Sequence, residues 1–216
     1  MDDFANVISD AGIFARSIFA SDSSGHDFNH TKRVANISRL IQAEEGGDLV
    51  VISLAAWLHD VDDPKLFETA DMANARGFMK RKGVPDIVAD AVCHVISQVS
   101  FKAGDTVVPD TLEGKIVQDA DRLDAIGAIG IARAFAYGGS RGNAIYDPLE
   151  KPLAGMGEEE YRHHKGCTIN HFHEKLLLLK DMMNTPTARI LAEKRDFFMR
   201  TFLSEFLSEW NYGQGQ

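Results

Sequence analysis

Residues 48–60 read DLVVISLAAWLHD, a segment that is apolar on nearly every side and then ends in a histidine and an aspartate. Asp48 carries the short side-chain oxygen that caps a helix, and Gly46-Gly47 stops the helix before it. Leu49 to Leu58 shows neither two-residue alternation nor a polar stripe, so it reads as a helix in the middle of an α-helical protein. Pro64 cannot continue it. His59-Asp60 at the end of such a helix needs partners, because an unpaired buried charge is very costly. Taken alone, the pair also fits an ordinary helix C-terminus, where an imidazole meets the helix dipole and an aspartate starts a turn.

Reading outward gives an all-α chain. A helix over about 3–20 places Phe4, Val7, Ile8, Ala11, Phe14 and Ile18 on one face, and a polar turn follows at 21–25. The next, from about Asn29 to Glu45, carries Val34, Ile37 and Ile41. After the buried helix, Thr69 to Lys82 is a more polar helix closed by Gly83. Pro85 opens another, with Ile87, Val88, Ala91, Val92, Val95 and Ile96 inward. Asp110-Thr-Leu-Glu113 resembles a capping box and starts one long helix ending near Tyr137. The Gly-rich stretch 138–166 reads as a lid-like loop, and Thr168 and Thr185-Pro186 start the last two helices, which reach about residue 210. No internal repeat appears, so the expected organisation is a single domain over 1–216 with its core in 23–137.

With 44% hydrophobic and 25% charged residues among 216, the composition is that of a soluble globular protein. Cys93 and Cys167 are too few for a disulfide framework, which favours a reducing, cytoplasmic compartment. The acidic start Met1-Asp2-Asp3-Phe4 lacks the layout of a secretory signal, and no apolar run approaches the roughly 20 residues of a membrane span. The net charge of −9 argues against duplex nucleic acid as a partner. It leaves room for a small phosphorylated substrate, because a bound divalent cation supplies a local positive field. A homodimer is compatible with this composition.

Two further segments change the weight of His59-Asp60. GHDFNH, residues 25–30, puts two histidines at the start of a helix, and His30 shares the inward face of Val34, Ile37 and Ile41. QDADRLD, residues 118–124, sets three carboxylates in an otherwise apolar helix, where they want a cation. Two imidazoles with carboxylates form a mixed donor set suited to one divalent ion such as Mn, Mg, Co, Ni, Fe or Zn. Periodicity leaves the choice among the three aspartates open. Asp119 falls with Leu112, Ile116 and Leu123, whereas Asp121 falls with Val117 and Asp124.

In chain order, His30, His59-Asp60 and Asp121 resemble the H…HD…D signature of the HD-domain phosphohydrolase superfamily. GHDFNHTKRV (25–34), AAWLHDVDDPK (55–65), QDADRLDAIGAIGIAR (118–133) and NHFHEKLLLLKDMMNT (170–185) are similar to a small bacterial stand-alone subgroup. The resemblance implies an all-helical HD-type bundle holding one metal on His30, His59, Asp60 and Asp121. It selects Asp121 because the family's Ala-Asp-x-Leu pattern falls on residues 120–123. It further implies hydrolysis of a phosphate ester or anhydride, most often in a nucleotide, through a metal-activated water.

Asp63 stands where nucleotide-hydrolysing relatives often carry an acidic residue that positions or deprotonates that water, so Asp60 and Asp63 are the candidate catalytic carboxylates. The plainer reading is that Asp62 and Asp63 cap the turn before Pro64. Asp124, one turn past Asp121, is a candidate to orient a histidine ligand. An anionic substrate needs cations and donors, and the candidates are His26, Arg33, Lys65, His94, Arg122 and Lys175. For His94 the plainer reading is a core histidine bonded to a backbone carbonyl. His163, His164, His171 and His173 lack ligand spacing. Two other classes fit less of the pattern. One is a non-catalytic nucleotide or metal sensor. The other is a di-iron oxidase, which needs further histidine ligands, and only His94 would serve.

Overall fold

The computed structural model describes residues 2–19, 27–63, 67, 69–101, 103–153 and 155–212. His26 and Lys65 lie outside the described residues. Among these residues there are helices and no strands: α1 (Asp2–Ile18), α2 (Phe28–Glu45), α3 (Leu49–Leu58), α4 (Ala73–Arg81), α5 (Asp86–Ser97), α6 (Leu112–Asp124), α7 (Gly127–Arg141), α8 (Glu158–His163), α9 (Thr168–Glu174) and α10 (Pro186–Trp210). No helix among them is long and apolar enough to cross a membrane.

The apolar segment is the centre of the bundle. Val51, Ile52, Leu54, Ala55, Ala56 and Leu58 of α3 are buried, with α1, α2, α5 and α6 packed around them. Each Leu or Ile buried there contributes about 1.5–3 kcal/mol. Asp48 caps the helix, accepting from the N–H groups of Val50 at 2.8 Å and Val51 at 3.1 Å. Asp27 caps α2 in the same way, accepting from His30 N–H at 2.7 Å. Two aspartate caps thus set the phase of the helices that carry His30 and His59.

Several expected boundaries move. The polar helix starts at Ala73 rather than Thr69, because Asp71 and Met72 are both left-handed, with φ of 52° and 54°. Its first N–H groups are capped from afar. Asp62 accepts from Asn74 at 3.0 Å and from Ala75 at 2.9 Å. Ile87 is 81% exposed, since the inner stripe of α5 runs through Ala89, Val92, Cys93 and Ile96. Thr111, not Asp110, caps α6 by accepting from Gly114 N–H. Glu113 instead accepts from Asp48 N–H at 2.9 Å, tying α6 to the start of α3.

The largest difference is that the long helix expected over 110–137 is two helices meeting at a corner. Gly127 takes a φ of 78°, where a side chain would be strained, and Arg195 of α10 donates to the Leu123 carbonyl at the break, which also accepts from Ile126 N–H. α7 then continues to Arg141, so the segment after Tyr137 is partly helical. The strap beyond it is tied down. Thr168 and Ile169 donate to the carbonyls of Ala144 and Ile145, and Glu174 accepts from Leu153 N–H and His164 Nε2, each at 3.1 Å. Thr185 caps α10 with Pro186 in its first turn, as the sequence indicates. The rings of Phe172, Phe202, Phe206 and Trp210 follow one another along this helix and α9, stacked at each end of the series and tilted between Phe202 and Phe206.

Candidate metal centre

α2, α3 and α6 bring four side chains from distant parts of the chain to one point. His30 Nε2 lies 3.3 Å from His59 Nε2, 3.4 Å from Asp60 Oδ2 and 3.4 Å from Asp121 Oδ1. His59 Nε2 is also 3.3 Å from Asp60 Oδ2. The ligand atoms of His30, His59 and Asp121 all lie within 4.8 Å of one another. His30 and His59 are nearly sealed from solvent, whereas the Asp121 side chain is 26% exposed, so the group opens on the α6 side.

The ring nitrogens facing away from the cluster are both held. His30 Nδ1 is 2.8 Å from Asp124 Oδ2, and His59 Nδ1 is 2.9 Å from the Ala56 carbonyl. The Asp124 carboxylate and the Ala56 carbonyl only accept, so each neutral ring carries its proton on Nδ1 and turns the lone pair of Nε2 inward, while Arg133 Nη1, 3.1 Å from His30 Nδ1, donates to Asp124 Oδ2 at 2.7 Å. Two such lone pairs 3.3 Å apart, with carboxylates beside them, form a donor set that calls for a cation or a proton between them. For His59, burial alone lowers the pKa, but the Asp60 carboxylate, the Asp121 charge and the Ala56 carbonyl outweigh it and push it up to about 9. His30 moves up as well; burial opposes the shift and the hydrogen bonds to Asp124 and Asp60 overcome it. A mixed imidazole and carboxylate set of this kind fits a divalent ion.

Asp124 anchors the back of the site. Its side chain is 2% exposed, yet it gathers His30, Arg33 through Nε at 2.6 Å and Nη2 at 3.0 Å, and Arg133 through Nη1 at 2.7 Å. Burial would raise its pKa, but the hydrogen bonds from His30 and Arg33 and the charges of His30 and Arg133 hold the carboxyl well below the usual range. Arg133 escaped the sequence reading. In one continuous helix it falls far from Asp124, and only the corner at 125–126 reveals it.

The other aspartate of the string has a different task. Asp119 is fully buried and accepts from the N–H and Nδ2 of Asn184 and from the N–H and Oγ1 of Thr185, all at 2.8 Å. It therefore clamps the start of α10 to α6. Here burial prevails over these hydrogen bonds, and its pKa is raised.

The remaining candidates are scattered. Arg33 is engaged with Asp124 beside the cluster. Arg122 is a correction: it is buried and donates to the Met182 carbonyl, because its side of α6 faces the tail. His94 is a second, being exposed on α5 with Nε2 2.8 Å from Asp110, neither a core histidine nor a member of the cluster. It lines a surface cleft of about 570 Å³ with Asp71, Met72, Arg76, Asp90 and Cys93. The di-iron pattern, which needed His94 as a ligand, loses its basis. Lys175 stands over the Phe101 ring at 4.5 Å. Asp63 lies in the turn after α3, its N–H on the Asp60 carbonyl at 3.1 Å.

The site defines a class of protein, an all-helical bundle in which histidines and aspartates from α2, the end of α3 and α6 meet at a point that could hold a metal ion. The HD domain family model matches residues 27–126. YpgQ of Bacillus subtilis, itself uncharacterized, is 41% identical over 196 residues, covering 89% of this chain and 88% of YpgQ. The chain belongs to the HD-domain family. A solved structure from Lactobacillus plantarum superposes with a TM-score of 0.83 at 39% identity, covering 96% of this chain and 98% of that one. An HD-superfamily hydrolase from Bacillus thuringiensis superposes at 0.76 with 40% identity over 96% and 98%. YpgQ solved in complex with ADP superposes at 0.75 with 33% identity over 96% of each chain.

Proposed function

We propose that this chain is a metal-dependent phosphohydrolase that cleaves a phosphate ester or anhydride of a nucleotide. The observation that carries the reading is the convergence of His30, His59, Asp60 and Asp121 on one point, open to solvent on the Asp121 side. These four residues would hold the ion. When bound, it supplies Lewis acidity and acidifies water near neutral pH.

The chain's own residues supply the rest. Asp124 and the Ala56 carbonyl hold the two Nδ1 protons, so that both Nε2 atoms stay available. Charge then decides the substrate class. Asp60, Asp121 and Asp124 against Arg33 and Arg133 leave one net negative charge with both imidazoles neutral. A divalent ion reverses that sign and makes the centre attractive to a phosphate. Asp63, in the turn that follows Asp60, orients or deprotonates the attacking water. The HD-superfamily hydrolase among the structural neighbours supports the reaction class, and the ADP held by YpgQ supports a nucleotide substrate.

The test is a hydrolysis screen on metal-stripped protein. Mn, Mg, Co, Ni, Fe and Zn are added back against nucleoside mono-, di- and triphosphates, cyclic nucleotides and a generic phosphodiester, with phosphate and pyrophosphate quantified separately. Metal-dependent turnover that disappears in Asp60→Ala, together with the bound metal, is the expected result. Stoichiometric metal without turnover on any substrate would turn the reading toward a sensor. Asp63→Asn is expected to keep its metal and lose turnover, about a hundredfold or more for a lost proton acceptor.

A further inference from the structure

We infer that the corner between α6 and α7 is a positioning device for the metal centre. It brings Arg133 onto Asp124, and through Asp124 it fixes the ring of His30. This rests on the metal reading above. In an unbroken helix Asp124 and Arg133, nine residues apart, would be separated by about 13 Å of rise and would point to opposite sides. Instead Arg133 Nη1 is 2.7 Å from Asp124 Oδ2 and 3.1 Å from His30 Nδ1.

Two glycines build the corner. Gly127 carries the left-handed turn, and a Cβ on it would stand 2.9 Å from Arg195 Cγ. At Gly130 a Cβ would stand 2.2 Å from the Ala125 carbonyl oxygen, which is backbone and cannot swing aside. The tight return of α7 therefore depends on a bare backbone at that position.

Arg133 acts on a particular oxygen. Arg33 grips Asp124 as a fork, with Nε on Oδ1 and Nη2 on Oδ2, which holds the carboxylate from the α2 side. Arg133 adds its bond to Oδ2, the oxygen that holds His30 Nδ1. A nearly dry carboxylate keeps its charge only with such partners, and its aim is only as firm as they are. Arg133 is thus a positioning residue, acting two hydrogen bonds behind the ring of His30.

The experiment compares Arg133→Met, Arg133→Lys and Gly130→Ala with the wild-type chain. Mn²⁺ affinity is measured by calorimetry, and the His30 Nδ1 proton is followed by ¹⁵N-resolved NMR in metal-free protein. Arg133→Met is expected to weaken Mn²⁺ binding about tenfold and to let the Nδ1 proton exchange rapidly with water. Arg133→Lys, which restores a cationic donor, recovers both readouts. Gly130→Ala reproduces the Met phenotype with every charge intact, and if it does not fold, the Met and Lys pair decides. Wild-type affinity and a protected Nδ1 proton in Arg133→Met would overturn the inference. Failure of the wild-type chain itself to bind Mn²⁺ would sink the metal reading instead, while the NMR comparison still decides the role of the corner.

Discussion

Asp119 and Asp124 lie five residues apart on α6, both nearly dry, each accepting four hydrogen bonds, and their carboxyl groups are driven in opposite directions. Asp119 faces the tail and takes neutral donors from Asn184 and Thr185. Asp124 faces the cluster of His30, His59, Asp60 and Asp121 and takes two guanidiniums and an imidazole. The number of hydrogen bonds is equal, so the charge of the donors decides which carboxylate stays ionised cheaply. The imidazoles of the same two regions divide likewise. His59, beside Asp60 and Asp121, is pushed up to about 9, and half-buried His171 is pushed down to about 3 by desolvation and then by the Lys175 and His164 charges. One side of the bundle is thus built to hold charge, and the other to hold α10 in place.

Separate roles imply separable mutants. The largest effect is expected from Asp124→Asn, which keeps the shape and removes the charge that orients His30. Metal affinity should fall about 10- to 100-fold by titration calorimetry, and turnover should fall with it. Asp119→Ala is expected to act elsewhere, leaving the Asn184 and Thr185 amides and the Thr185 hydroxyl without their acceptor. Unsatisfied buried groups cost about 1–3 kcal/mol each, partly offset by removing a carboxylate that burial disfavours. The melting temperature should drop by roughly 5–10 °C, with metal affinity within about twofold of wild type. Equal loss of metal affinity in both variants would collapse the distinction between the two regions.

The sequence shows part of this division and hides the rest. α3 was legible because a segment apolar on all sides has one place to go, and the Asp48 and Thr185 caps follow from local chemistry. The convergence of His30, His59, Asp60 and Asp121 was legible only as a family pattern, since helical periodicity left the faces of Asp119 and Asp121 open. Asp124 could be suspected as the support of a histidine from its spacing alone. Arg133 could not, because its partner is fixed by the corner at 125–126, and the apolar pattern runs through that corner without interruption. His94 and Arg122 misled for a related reason. A helix face shows where a residue points relative to its own neighbours, whereas their partners, Asp110 and the Met182 carbonyl, come from other segments.

The last expected effect, smallest at neutral pH, lies on the tail side and tests how far desolvation, with the Lys175 and His164 charges added to it, holds His171 down where carboxylates hold His59 up. A histidine with a pKa of about 3 in the folded chain and near 6.5 when unfolded binds its proton more readily unfolded. Its contribution to stability is therefore complete above pH 6.5 and is lost as pH falls from there toward 3. The slope in that window reaches about 1.4 kcal/mol per pH unit from this one group. His171→Gln removes the titration and should flatten the acid-side fall in urea-unfolding free energy, leaving the neutral value little changed. Lys175→Met, which withdraws the neighbouring cation and leaves the burial, should flatten it only in part. An unchanged acid slope in His171→Gln would place the acid sensitivity of the fold elsewhere. The paired imidazoles would then no longer mirror the paired carboxylates.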